Sequence, residues 1–290
     1  MPRPDAGTTT FEAHRPRLLR FAYRMLGSMA EAEDAVQDAW LRWSRVAQAE
    51  VREPAAFLTR TVTHLCLDAM KSARARRETY VGSWLPEPIL DDHEEEEMRP
   101  DELTLTLMLA LERLSPLERA AFLLHDVFGV PLDEVATTLD RQPASVRQLA
   151  VRARQHLREA RPRYPVPREE GDRIARAFYA ASHSGDLAAL RVLLAENVTL
   201  QADGGGKVLA FRNPILGLAK VLRLFQGLAR KGRPSVLVQP QWIDGLPGYV
   251  SLERGIVQTT ALAIEEGRIT AIYITRNPDK LARVMTAIET

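Results

Sequence analysis

At 290 residues the chain is long enough for two or three compact domains, and its formal charge of +1 argues by itself neither for nor against a nucleic-acid partner. Cys66 is the single cysteine and the start Met-Pro-Arg-Pro-Asp has no apolar h-region, so a disulfide scaffold is excluded and a reducing cytoplasm is expected. The longest apolar stretches, Leu103 to Leu111 and Thr259 to Ile264, fall well short of the ~20 residues that cross a bilayer, and no membrane role is expected.

From Phe11 to Glu78 the pattern is helical. Leu18, Phe21, Ala22, Met25 and Leu26 recur at helical spacing, as do Val36, Ala39, Trp40, Trp43 and Val46, then Leu58, Val62, Leu65 and Ala69. This predicts a small helical bundle over residues 8–78. Within it, Glu31, Asp34 and Asp38 share one helix face, opposite the stripe of Val36, Trp40 and Trp43. No cysteine or close histidine accompanies these carboxylates, so no metal is expected, and the face suits either solvent or a docking protein. The helix from Pro54 to Arg77 turns Phe57, Leu58, Val62 and Leu65 inward. It leaves Arg60, His64, Lys71, Arg74, Arg76 and Arg77 for solvent or phosphate. Cations beside aromatics are what single-stranded DNA needs, since backbone charge and base faces both want partners.

Residues 79–102 carry Pro86, Pro88, Pro100 and an acidic run from Asp91 to Glu97, which suits an exposed linker. A second helical unit follows over residues 103–163. Ser115-Pro116-Leu117-Glu118 combines a capping residue, a proline at the first helical position and an acid in the first turn. That helix ends before Gly129, Pro131 opens a short helix through Leu139, Asp140 to Gln142 turn, and Pro143 starts another helix ending near Pro162. Two helices across a tight turn are the signature of a helix-turn-helix. Ser145, Arg147, Gln148, Val151, Arg152 and Arg154 lie on the faces left open by Val146, Leu149, Ala150 and Leu157. A helix in the major groove needs polar side chains near its start for base edges and flanking cations for phosphates. Arg147 and Gln148 are expected at bases, and Arg141, Arg152, Arg154 and Arg158 at phosphates.

Pro162, Pro165 and Pro167 form a second linker, and over residues 169–290 the periodicity changes. Helices Glu169 to Ser182 and Leu187 to Leu194 precede strands at Val198 to Ala202, Val208 to Phe211, Ser235 to Trp242, Gly255 to Glu265 and Arg268 to Thr275, with a hairpin turn at Glu266-Gly267. Helices followed by strands predict an α+β domain.

Residues 11–161 resemble an extracytoplasmic-function (ECF) sigma factor, the two-domain class of bacterial sigma factors. Ala32-Glu33-Asp34-Ala35-Val36-Gln37-Asp38-Ala39-Trp40 is similar to the helix that docks on the β′ clamp helices of core RNA polymerase. The resemblance implies polymerase contacts at Glu31, Asp34, Gln37, Asp38 and Trp40, with the β flap as a further contact of the polymerase. It implies capture of the downstream, minus-ten element by Arg60, His64, Lys71, Arg74, Arg76 and Arg77. The helix-turn-helix would read the upstream, minus-thirty-five element. Two positions depart from the family: His64 stands where asparagine is usual, and Leu149 where an arginine is common.

The likeness extends to the subgroup with a fused C-terminal SnoaL-like domain of the NTF2-like cone fold. Trp84-Leu85-Pro86-Glu87-Pro88, Asp203-Gly204-Gly205-Gly206-Lys207 and Asn277-Pro278-Asp279-Lys280-Leu281 look like its motifs. It implies a multidomain chain of two all-α sigma domains followed by an α+β cone. The cone would regulate the sigma domains through Trp84, Pro86, Asp203 to Lys207, and Asn277 to Lys280. Relatives of that fold do isomerase chemistry, for which Asp203, Tyr249, Trp242, His183 and Tyr273 are the candidates. Core packing accounts for the aromatic ones, and no catalysis and no cofactor are expected. The fold leaves room for a small-molecule ligand. A one-component repressor with a ligand-sensing domain would also explain residues 103–290, but not the first bundle. Repressors bind palindromes as dimers, whereas a sigma factor is expected to be monomeric when free.

Overall fold

The computed structural model describes residues 6–47, 50–78, 80–91, 104–158, 166–232 and 235–289. The acidic run beyond Asp91, the side chains of Arg74, Arg76 and Arg77, and the prolines at 162 and 165 lie outside the described residues. The chain divides into two compact units, Met1–Glu78 with Met108–Ala160, and Thr79–Leu107 with Arg161–Thr290.

The first unit is all helix. Its elements are α1 (Ala6–Leu26), α2 (Met29–Trp43), α3 (Pro54–Glu78), α5 (Pro116–Phe122), α6 (Leu132–Thr138) and α7 (Pro143–Leu157); α4 (Leu105–Leu111) crosses the boundary between units. The apolar stripes of α1 and α2 meet as the spacing predicts, with Phe21, Ala22, Met25 and Leu26 and with Val36, Ala39 and Trp43 buried; on α3 Leu58 and Val62 are buried, but Phe57 and Leu65 are only half-buried and Cys66 turns inward instead. Trp43 satisfies its indole by donating to the Gly7 carbonyl at 2.9 Å, as a buried indole must. Ser115 and Glu118 form a complete capping box at the start of α5. One turn of π-helix, Leu123–Val127, follows. Arg119 is buried with all of its charge spent on fixed acceptors: Nε donates to the Leu111 carbonyl at 2.9 Å, Nη1 to the Met25 carbonyl at 2.6 Å, and Nη2 pairs with Glu112. A buried cation survives only with such partners.

The second unit contains α8 (Arg168–Ser184), α9 (Leu187–Leu193), β1 (Leu194–Asp203), β2 (Ile215–Leu216), α10 (Leu218–Arg230), β3 (Ser235–Ile243), β4 (Leu246–Glu253), β5 (Ile256–Glu265), β6 (Arg268–Thr275) and α11 (Ala282–Glu289). The strands form one sheet in the order β2-β1-β6-β5-β4-β3, with β1 and β6 parallel and the other pairs antiparallel. The β3 to β6 meander turns at Asp244-Gly245, Arg254-Gly255 and Glu266-Gly267, each with both residues at positive φ, the backbone that matches strand twist in two-residue hairpins. Helices α8 and α10 cover one sheet face with Ile174, Phe178, Val221 and Phe225 over Leu200, Leu262 and Ile272. On a second, smaller core, Val250 packs with Leu281, Val284, Ile288 and the linker residue Leu90.

Four expectations change, the first being the exposed linker: Leu85, Pro86, Glu87 and Pro88 are buried. Val208 to Phe211 is loop, not strand; the antiparallel neighbour of β1 is the two-residue β2, beginning four residues later. Helix α10 was not anticipated, although its inward residues recur at helical spacing, because the stretch lies among segments read as strands. Strand β4 reads Leu-Pro-Gly-Tyr-Val-Ser-Leu-Glu, and its proline and glycine hide its pairing on both sides.

Candidate functional site

Helix α7 buries Val146, Ala150, Ala153 and Leu157. Ser145, Arg147, Gln148, Val151 and Arg152 are exposed along the opposite side, so the side chains expected at DNA are available to it. Arg154 is exposed but pairs with Asp126 at 2.6 Å, which lessens the charge it offers a phosphate. Arg141 donates to the carbonyl of Asp140 at 3.3 Å. Asp140 sits at the helix-turn-helix turn with φ +51, a conformation that aspartate tolerates better than most residues.

On α3, Arg60 and His64 meet the Asp140 carboxylate: Arg60 Nη2 pairs with Oδ1, and His64 Nε2 lies 3.4 Å from Oδ2. Two side chains expected at the downstream element are thus held by the turn expected at the upstream one. Lys71 is exposed and pairs with Asp68 at 2.8 Å. On α2, Asp34, Gln37 and Asp38 are exposed while Glu31 is half-buried. Trp40 is half-buried, with its ring 5.0 Å from that of Phe11. Asp34, Gln37 and Asp38 therefore form the open part of the expected docking face.

In the second unit the three separated motifs converge. The Asp203 carboxylate, fully buried, accepts from Tyr80 Oη at 2.5 Å, from the Leu85 N–H at 2.9 Å, from the Gly205 N–H at 2.9 Å and from Lys280 Nζ at 2.7 Å. Lys280 also donates to the Leu85 carbonyl and lies 4.3 Å from the centre of the Trp84 ring. Asn277 Nδ2 donates to Tyr80 Oη at 2.9 Å, and Lys207 pairs with Asp279 at 2.7 Å. Pro86 and Glu87 are buried, and Arg283 reaches Glu87 at 3.5 Å. Burial, then the hydrogen bond to Asp203, pushes the Tyr80 phenol well above its ordinary pKa, so it stays a neutral donor. The glycine run is required by contact: a Cβ on Gly204 would lie 2.1 Å from the Val208 carbonyl, and one on Gly205, at φ +62, 2.4 Å from the Asn277 side chain.

Residues 10–76 match the Sigma-70 region 2 family and residues 104–157 the Sigma-70, region 4 family. Over 287 residues the chain is 36% identical to the ECF RNA polymerase sigma factor SigJ of Mycobacterium tuberculosis, covering 93% of this chain and 91% of that protein. The chain belongs to the ECF sigma factors. It is also 32% identical to the probable ECF sigma factor SigI of M. tuberculosis, covering 97% of both chains. The crystal structure of SigJ superposes with a TM-score of 0.77 at 32% identity, over 95% of this chain and 98% of that one.

Sigma factors bind core RNA polymerase and promoter DNA and are initiation factors rather than enzymes. This accounts for the first helical bundle, which the one-component repressor reading could not. In this sigma factor the α+β unit, a six-stranded sheet covered on one face by helices, lies within the 95% of the chain that superposes on SigJ. Among the described residues no helix is long and apolar enough to cross a membrane, and no His, Cys, Asp and Glu group has the arrangement of a metal site.

The five residues weighed for isomerase chemistry do not share one place. Asp203 is saturated by the linker network. Trp242 donates its indole to Asp172 at 2.7 Å, and Tyr273 is buried in the sheet. His183 and Tyr249 line a cavity, with His183 Nε2 2.8 Å from Glu253. Burial alone would lower the His183 pKa, but the hydrogen bonds to Glu253 and the Tyr179 carbonyl and the Glu253 charge outweigh it and raise it above 6.5. Tyr80, Asp140, Asp126 and Glu253 were not singled out in the sequence. Each acts through a partner at least 28 residues away, and periodicity reports nothing at that range.

Proposed function

We propose that this sigma factor reads promoters through two surfaces and is regulated by its fused C-terminal domain. Arg147 and Gln148 of α7 contact base edges of the upstream element, and Arg141, Ser145, Val151, Arg152 and Arg154 flank them. Arg60, His64, Lys71 and the Arg74, Arg76, Arg77 cluster capture the unpaired downstream strand. The open face of α2, with Asp34, Gln37 and Asp38, docks on the β′ clamp helices, and the helix-turn-helix domain on the β flap. The cost of extruding bases, a few kcal/mol for each unstacked step, is offset by polymerase contacts and the basic helices.

One observation carries the regulatory part. Asp203 and Lys280 hold the Trp84 to Pro88 linker by both the N–H and the carbonyl of Leu85. That linker joins the two sigma domains in sequence, so a domain that fixes it restrains the separation they can adopt on a promoter.

Reconstituted run-off transcription with core polymerase and a genomic promoter library tests this. Removing residues 166–290 should change promoter-directed activity severalfold. Equal activity with and without them contradicts the regulatory reading.

A further inference from the structure

The C-terminal unit encloses a cavity of about 380 Å³, inside the ~300–1,000 Å³ range of small-ligand sites. Its inner walls are apolar, with Phe178 of α8, Phe225 and Leu228 of α10 and its C-terminal end, Phe211 of the loop before β2, and Ile274 of β6. The polar lining is unbalanced. Glu253 is the single carboxylate, and it is already matched by His183 at 2.8 Å, whose other ring nitrogen lies 2.8 Å from the Tyr179 carbonyl. Three further cations, Arg223, Lys231 and Arg276, line the same space. Arg223 and Lys231 are exposed and have no carboxylate partner among the described residues, while Arg276 Nη1 donates to the Leu209 carbonyl at 2.7 Å. An apolar chamber with surplus positive charge selects a particular ligand chemistry.

We propose that this cavity binds a small amphipathic carboxylate, its aliphatic body among Phe178, Phe225 and Leu228 and its carboxylate toward Arg223 and Lys231. The position of the site gives binding a route to the linker. Ala202 and Arg276 line the cavity, and their chain neighbours Asp203 and Asn277 belong to the linker network. The backbone N–H groups of Arg276 and Asn277 both donate to the Asp203 carbonyl, at 2.7 and 3.0 Å. A change in the strand ends at the cavity therefore reaches the groups that hold Leu85. The binding site stands on the cavity alone; an effect on transcription rests on the regulatory reading above.

Calorimetric titration of the full chain with octanoate, octanol and octylamine at neutral pH tests the site. Octanoate should bind saturably at one site, about tenfold or more tighter than octanol, with octylamine weakest. Gly227 lines the cavity, and a Cβ there meets nothing within 4 Å, so Gly227→Leu starts from an unobstructed Cβ, narrows the chamber and should weaken octanoate binding about tenfold or more. An unchanged unfolding temperature of that variant shows that the fold survives. The double variant Arg223→Gln, Lys231→Gln should bring octanoate down to the octanol level and leave octanol unchanged. Absence of saturable octanoate binding, equal binding of octanoate and octanol, or wild-type binding by Gly227→Leu overturns the proposal. Specific binding with unaltered run-off transcription keeps the site and counts against the regulatory reading instead.

Discussion

Arg60 of α3 and Asp140 of the helix-turn-helix turn form an ion pair, with His64 on the second carboxylate oxygen. In the free protein, groups assigned to single-stranded DNA are occupied by the domain assigned to duplex DNA. Both partners are about half exposed, so the pair contributes only ~0–1 kcal/mol and polymerase can open it readily.

Asp140→Asn removes the charge and keeps a residue that tolerates the left-handed backbone at this position. Affinity for a single-stranded downstream-element oligonucleotide, read by fluorescence anisotropy, should rise by up to about fivefold, the equivalent of ~1 kcal/mol. Unchanged or weaker binding would mean that Arg60 and His64 do not meet this strand.

Arg147→Ala should cost ~1–3 kcal/mol of binding to the upstream element and relax base preference at one position. Arg152→Ala should instead weaken all sequences alike and reduce the salt slope by about one unit. Arg154→Ala should reduce it less, because Arg154 already spends charge on Asp126. Electrophoretic shifts across a salt series and a substituted operator panel separate the three. A uniform loss for Arg147→Ala removes it from the base contacts.

Asp203→Asn leaves the mostly buried Lys280 ammonium without its carboxylate. Breaking such a pair typically costs about 3 kcal/mol, here concentrated on the linker that it holds. Hydrogen exchange at the Leu85 amide should accelerate, with the helical unit unaffected. Retained protection at Leu85 would show that other contacts fix the linker.

The His183 and Glu253 pair gives the C-terminal unit a defined pH response. Glu253 is held below 4.5: burial opposes this, but the hydrogen bonds from His183 and Ser235 outweigh it. Its contribution is therefore full above pH 4.5 and is lost as pH falls through the lowered value. His183 is raised above 6.5, so its contribution is full below pH 6.5 and is lost as pH rises through the raised value. Urea unfolding should show greatest stability of this unit between about pH 4.5 and 6.5, declining above. His183→Gln should flatten the upper limb; an identical profile would show that the pair does not titrate as described.

The helical half was legible because burial there follows one period. The stripes of α1, α2, α3 and α7 could be counted in the sequence, and the Ser115 capping box marked a boundary. The meander was half legible. Glu266-Gly267 announced its turn, whereas β4 was obscured by Pro247 and Gly248. The linker site came from motifs whose meeting no local rule predicts: Tyr80, Asp203 and Asn277 are brought together across 197 residues of sequence by the β1 and β6 strand ends. Arg154 looked like a phosphate contact because its partner Asp126 lies 28 residues upstream, on the π-helical turn Leu123–Val127 before α6.

The most direct measurement compares wild-type and Asp203→Asn proteins in run-off transcription with core polymerase across a genomic promoter library, alongside exchange at Leu85. A linker shown to be released should change promoter-directed output severalfold while initiation stays dependent on Arg147. Faster exchange at Leu85 with the same promoters used at the same strength would contradict it.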